Sequence, residues 1–242
     1  MSTVQPPAVE LPPVSTRAWK KNPGSDIVLP IAEKRRWVLG VWGACIAYAI
    51  LRYNIFGPVE WIHLPSFVIN KSFGLGAVVF LSCSYLVGKW IKAYPSDPKR
   101  RRSLAKFLGL TGLYFAGLHI MLSLALLSPA YYGKFYIDGG KMNLMGEVTF
   151  LFGALAIGFL MFPAITTLPL MYEALGGERW QRMQRMGYWA LAMLAGHTFT
   201  MGWSGWLEPA GWHGGMPPIS VWAFAFAVAA LVAKAVSKPK AR

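Results

Sequence analysis

Residues 186–207 read MGYWALAMLAGHTFTMGWSGWL. The run is long enough to cross a bilayer as a helix, which takes about 20 predominantly apolar residues. It carries one ionisable group, His197, near its middle. An imidazole at that depth gives up its water and needs a partner, and such residues are rare in spans because desolvation is costly. What His197 is paired with is the question the rest of the chain has to answer.

Working outward, the whole sequence has the same character. Apolar residues make up 55% of the 242 and charged residues only 14%, too few to cover a soluble domain of this size. Six apolar spans are expected, at about 37–56, 73–91, 104–128, 146–170, 186–207 and 219–236. The expected fold is therefore all-α: a polytopic membrane protein with a six-transmembrane-helix bundle over residues 37–236. A polar, proline-bearing arm, residues 1–36, precedes it and a short basic tail, 237–242, follows. The arm has no short apolar core beside a charged start, so it is expected to be retained as a flexible cytoplasmic segment rather than removed as a signal peptide.

The net charge of +14 would suit nucleic acid, but the position of the charges assigns them elsewhere. Twenty of the 24 Lys and Arg fall on the side of the termini and of the loops around PSDPKRRRS and GGERWQRMQR; only Arg52, Lys71, Lys134 and Lys141 fall on the other. That bias places both termini in the cytoplasm, in what is expected to be a bacterial inner membrane, with the basic residues facing lipid head groups. No basic groove or folded soluble module accompanies the charge, so nucleic acid is not an expected partner. Lys99, Arg100, Arg101 and Arg102 could dock an acidic flavoprotein, although topology alone accounts for them. Cys45 and Cys83 lie inside spans, and the absence of CxxC and CxxCH argues against a thiol redox pair and against covalent haem attachment. No GxGxxG follows a strand pattern, so no flavin or nicotinamide domain is expected in the chain.

Four histidines remain. His63 and His213 fall in outer loops, where they could line an exit route, bind a metal or shape a partner surface, ordinary interfacial hydrogen bonding being the simpler role. His119 and His197 lie inside spans, 17 residues past Arg102 and 12 past Arg185. At 1.5 Å per residue those offsets differ by roughly 7 Å, within the tilt of a helix. Two imidazoles thus sit at similar depth on helices running the same way. Stacked with His119 at helical spacing are Gly112, Ala116 and Ser123; Ala190, Met193, Thr200 and Met201 neighbour His197. Small residues there leave space for a flat macrocycle, and equally permit close helix packing with nothing between. Iron in haem with two axial histidines would satisfy both rings. Zinc would want three or four ligands, and no third His, Cys or carboxylate lies at that depth. Arg52 and Lys134 are candidates for pairing with outward-facing haem propionates.

The string RRSLAKFLGLTGLYFAGLHIMLS (101–123) resembles the third helix of the ferric reductase-like transmembrane family, and LGGERWQRMQRMGYWALAMLAGH (175–197) resembles its fifth. The strongest points are Arg102, Gly109, His119, Trp180, Arg182, Arg185, Tyr188 and His197, within a resemblance spanning about 70–236 and running nearest to the haem-binding membrane subunits of bacterial periplasmic methionine sulfoxide reductase systems. The resemblance implies six helices holding non-covalent b-type haem through His119 and His197, with electrons crossing the membrane. One departure stands out. Where that family commonly has a further histidine on the fifth helix, near the cytoplasmic surface, this chain has Gln184. One haem is therefore expected. The donor would be quinol or a separate cytoplasmic flavoprotein, with a quinone near the inner helix ends, and the acceptor would lie on the outer side. The alternative is an accessory or assembly subunit with reduced or lost haem chemistry; a solute transporter is disfavoured by the lack of paired intramembrane charges on inverted repeats.

Overall fold

The computed structural model describes residues 29–89 and 97–236. They form α1 (Ile31–Ile50), α2 (Ile69–Lys89), α3 (Pro98–Ala125), the short α4 (Pro129–Tyr132), α5 (Leu144–Ile165), α6 (Met171–Trp206) and α7 (Ile219–Ala235). Strand pairing among the described residues is limited to one isolated bridge, Tyr136 with Met142. Helices are what apolar runs of this length must form in hydrocarbon, where each backbone N–H and C=O has to be paired within its own segment. Among the described residues, five helical stretches are long and apolar enough to cross a membrane. The sixth long helix, α6, falls short of that apolarity because its first half carries GGERWQRMQR and its second half His197, Thr198 and Thr200. The protein is thus all-α and multi-pass, with the expected six long helices but only five self-sufficient spans.

Boundaries differ from expectation at the basic end. α1 starts at Ile31 rather than near 37, and Glu33 is buried, its Oε2 held 2.7 Å from Arg100 Nη2. Residues 31–36 therefore belong to the bundle. The rest of the expected arm (1–28), the loop 90–96 and the tail 237–242 lie outside the described residues. α3 opens at Pro98, six residues before the expected span, with the Asp97 carboxylate accepting from the Lys99 and Arg100 backbone N–H groups. Three successive arginines at the start of a helix oppose the macrodipole, and the Asp97 cap and Glu33 offset that. α6 is interrupted at Gly176, whose φ of 69° only glycine adopts freely.

Two antiparallel hairpins organise the bundle. In the first, α2 meets α3 from Asn70–Ser123 at one end to Ser84–Ala105 at the other. In the second, α5 meets α6 from Thr149–His197 to Thr166–Gln184. α7 packs on both α2 and α6 and ties the hairpins together, α1 lies on α2, and α3 touches α5 only sparsely. α2 is the most buried span.

The hairpins are copies of one plan. SFGLGAVVFL (72–81) on α2 and LFGALAIGFL (151–160) on α5 share Phe, Gly, Ala, Phe and Leu in register. On the second helix of each, Gly109 and His119 recur as Gly187 and His197, at the same separation from each other. No repeat is apparent in the sequence at first reading; the packing brings it out.

Candidate functional site

Each of the two span histidines answers to the helix beside it. His119 on α3 is 3.1 Å from the Asn70 carbonyl and 2.8 Å from Asn70 Oδ1, both through Nδ1. His197 on α6 places Nδ1 2.9 Å from the Thr149 carbonyl. A carbonyl only accepts, so Nδ1 must carry the proton in both rings. Each Nε2 is then left with its lone pair, the form in which imidazole ligates a metal, and a carbonyl behind the ring is what commonly fixes a ligating histidine.

The rings are seated by glycines. A Cβ added at Gly74 of α2 would lie 3.0 Å from the His119 ring, and one at Gly153 of α5 would lie 3.1 Å from His197 Nδ1. Each glycine stands four residues after the acceptor, Asn70 or Thr149, one helical turn along the same face. Carbonyl, glycine and imidazole therefore form the same device twice. Residue type alone singles out neither acceptor nor glycine; the signal that finds them is the shared FG…A…FL pattern one hairpin apart.

The supports are not identical. Asn70 is almost fully buried, and its Nδ2 donates to Ser123 Oγ at 3.0 Å and to the Tyr132 hydroxyl at 3.3 Å. Ser123 thus braces the partner of His119. On the other side the Thr149 hydroxyl donates back to the Met145 carbonyl, leaving the Thr149 carbonyl for His197.

The structure decides what the small residues are for. Gly112 is buried against α2, where an added Cβ would lie 2.7 Å from Leu81 Cγ, so it serves close approach of α3 to α2. Ala116 packs against the core around Phe80 and Leu108. Ala190 is buried among Leu81, Leu160 and Leu191. These three, expected beside a ligand, each pack against a neighbouring helix. Both histidines stay only partly covered.

Three cations gather on the same level and towards the end away from the basic clusters. Arg52 is 6% exposed and spends Nε on the Pro217 carbonyl at 2.9 Å. Lys71 Nζ lies over the rings of Phe67 and Tyr53 at 4.3 and 5.0 Å and is close enough to act electrostatically on His119. The Lys134 ammonium sits on the Met201 carbonyl, and burial followed by the nearby Lys71 charge pushes its pKa down to about 8. Among the described residues neither Arg52 nor Lys71 has a carboxylate partner. Arg52 is buried and Lys71 half-buried, and a buried cation without counter-charge is costly. The sequence does not single out Lys71, because a single lysine beyond an expected turn reads as solvated.

Other expected positions fall elsewhere. His63 closes the turn Trp61–His63 and packs edge-on against Tyr131, 5.8 Å between centroids. His213 opens the turn His213–Gly215. Gln184 lies at the opposite, basic end, its Nε2 on Thr166 Oγ1 at 2.5 Å. Among the described residues no cluster of three or more His, Cys, Asp or Glu could hold a metal ion by itself.

No family model matches the chain. Among curated proteins it is similar to the metalloreductase STEAP2 of Mus musculus, 27% identical over 173 residues, and to the metalloreductase STEAP2 of Homo sapiens, 27% identical over 170. Each match covers 60% of this chain and 35% of the relative, so it spans about a third of those proteins' length. The homology is weak, and both relatives are metalloreductases by name.

Proposed function

We propose that this chain is a membrane electron-transfer protein of the ferric reductase-like type, holding one b-type haem between His119 and His197. The observation that carries the reading is the duplicated device of carbonyl, glycine and imidazole, which presents two Nε2 lone pairs from parallel helices. Such a pair suits haem iron and does not suffice for zinc. Asn70 and Thr149 orient the rings and raise their basicity as ligands. Arg52 and Lys71 would meet the propionates, supplying the anion their burial calls for; Lys134, already on the Met201 carbonyl, is the lesser partner.

Haem iron, when bound, supplies one-electron chemistry. The protein's part is to hold the ligands, set their polarity and keep water from them. The Lys and Arg bias favours cytoplasmic termini and the sequence resemblance a bacterial inner membrane, so that electrons pass from an inner donor, quinol or a flavoprotein, towards an outer acceptor. The similarity to metalloreductases favours a metal ion as acceptor; the sequence resemblance favours a periplasmic methionine sulfoxide reductase partner. A reduced-minus-oxidised absorption spectrum of purified protein, with haem quantified per chain, tests the reading. About one haem per chain with the sharp bands of bis-histidine ligation is expected, whereas a colourless protein from haem-replete cells would leave only the accessory-subunit reading.

A further inference from the structure

The two hairpins depart from their common plan at one matched position. Asn70 on α2 stands where Thr149 stands on α5, and the asparagine alone sends its side chain to the imidazole. His119 therefore has two acceptors behind Nδ1, the Asn70 carbonyl at 3.1 Å and Asn70 Oδ1 at 2.8 Å. His197 has the Thr149 carbonyl at 2.9 Å, and the Thr149 hydroxyl is turned back onto the Met145 carbonyl.

An amide can turn its oxygen or its nitrogen to a ring, so its orientation follows from the groups around it. The Asn70 backbone carbonyl obliges His119 Nδ1 to donate, and the amide must then present oxygen. Both Nδ2 hydrogens are left needing acceptors in a place where Asn70 is 1% exposed. One goes to Ser123 Oγ on α3 at 3.0 Å and the other to the Tyr132 hydroxyl at 3.3 Å. A buried amide donor stripped of its acceptor is costly, so these two hydroxyls hold the amide as it stands.

Tyr132 reaches this network from outside the long helices. It ends α4, and its ring is stacked on the buried Phe135 with centroids 6.4 Å apart. Two residues on, the Lys134 ammonium rests on the Met201 carbonyl of α6, and the Lys134 carbonyl accepts from Asn143 Nδ2 at the cap of α5 at 2.8 Å. The segment is thereby anchored to both helices of the second hairpin while its hydroxyl serves the first.

We infer that Tyr132, with Ser123, is a positioning residue for His119: the two hydroxyls lock the Asn70 amide so that its oxygen backs the imidazole, making His119 the more electron-rich of the two rings. The inference rests on the haem reading for its consequence. A stronger acceptor behind a ligating imidazole makes it a better donor to iron, which favours the ferric form and lowers the midpoint potential.

Redox titration and haem content of the full-length protein test it, together with nitrogen NMR spectra of histidine-labelled protein prepared without haem. Tyr132→Phe keeps the ring and its stacking and removes only the hydroxyl; combined with Ser123→Ala it removes both acceptors. Haem per chain is expected to stay near the wild-type level in both variants. The midpoint potential should rise. In the double variant the expected change is about tenfold in the ferric-to-ferrous ratio, or about 59 mV for one electron, and in the single variant less. Without haem, the His119 Nδ1 resonance, assigned by its absence from His119→Ala, should shift while that of His197 stays. An unmoved potential with an unmoved His119 resonance in the double variant would overturn the proposal. So would a loss of haem that leaves the potential of the remainder unchanged, since the hydroxyls would then only brace the fold. A colourless protein whose His119 resonance still responds would sink the haem reading and leave the positioning role standing.

Discussion

The two ends of the α3–α6 pair make an instructive contrast. Towards one end stand His119 and His197, each held by a carbonyl and seated on a glycine of the neighbouring helix. At the basic end the same two helices present Lys106 and Gln184, both turned to the α5–α6 connection. The backbone plan is one repeat at both levels. What differs is side-chain chemistry: lone pairs at one level, N–H donors at the other. A duplicated scaffold can therefore carry different side-chain chemistry at its two levels without changing its fold.

Removing the lone pairs should have the largest effect. His119→Ala or His197→Ala is expected to abolish most haem retention, read as haem per chain, because one remaining imidazole cannot complete the axial pair; full haem in both would sink the ligand assignment. Filling the seats comes next. Gly74→Val and Gly153→Val push atoms into the imidazoles, an overpacking that costs about 1–3 kcal/mol. Weakened haem retention and a lower Tm are expected, while Gly117→Ala, which meets nothing within 4 Å, should change neither.

Converting one level into the other sharpens the contrast further. Gln184→His alone should add no second haem, because its counterpart is Lys106; Lys106→His together with Gln184→His should add a fraction of one. A second haem from the single variant would mean that the repeat does not set the inner level. The smallest effect is expected from the cations. A positive charge favours the reduced form, so Arg52→Gln or Lys71→Gln should lower the midpoint potential. An interaction of ~1 kcal/mol corresponds to about 50 mV for one electron. A redox titration reads it, and an unchanged potential would place these side chains away from the haem.

Legibility in the sequence follows the physics of each feature. Hydropathy marks the spans because burial in hydrocarbon is a property of local composition, and charge bias gives a direction to the chain for the same reason. His119 and His197 stand out because an ionisable group is conspicuous against an apolar run. The sequence cuts α1 short because EKRR reads as solvated, although Glu33 is buried against Arg100, a partner far along the chain. Gly112, Ala116 and Ala190 cannot be sorted between ligand clearance and helix packing from sequence, since small residues serve both and only the neighbouring side chains decide.

By itself, then, the sequence determined the class: an all-α membrane bundle with two imidazoles at one depth, because hydrophobic length and helical rise are local quantities. Tertiary structure alone decided the tautomers, the glycine seats and the contacts of Arg52, Lys71, Lys106 and Gln184. Each of these depends on which helix lies next to which. That is settled by packing between segments well separated along the chain, as His119 is from Asn70 and His197 from Thr149, where no local rule reaches.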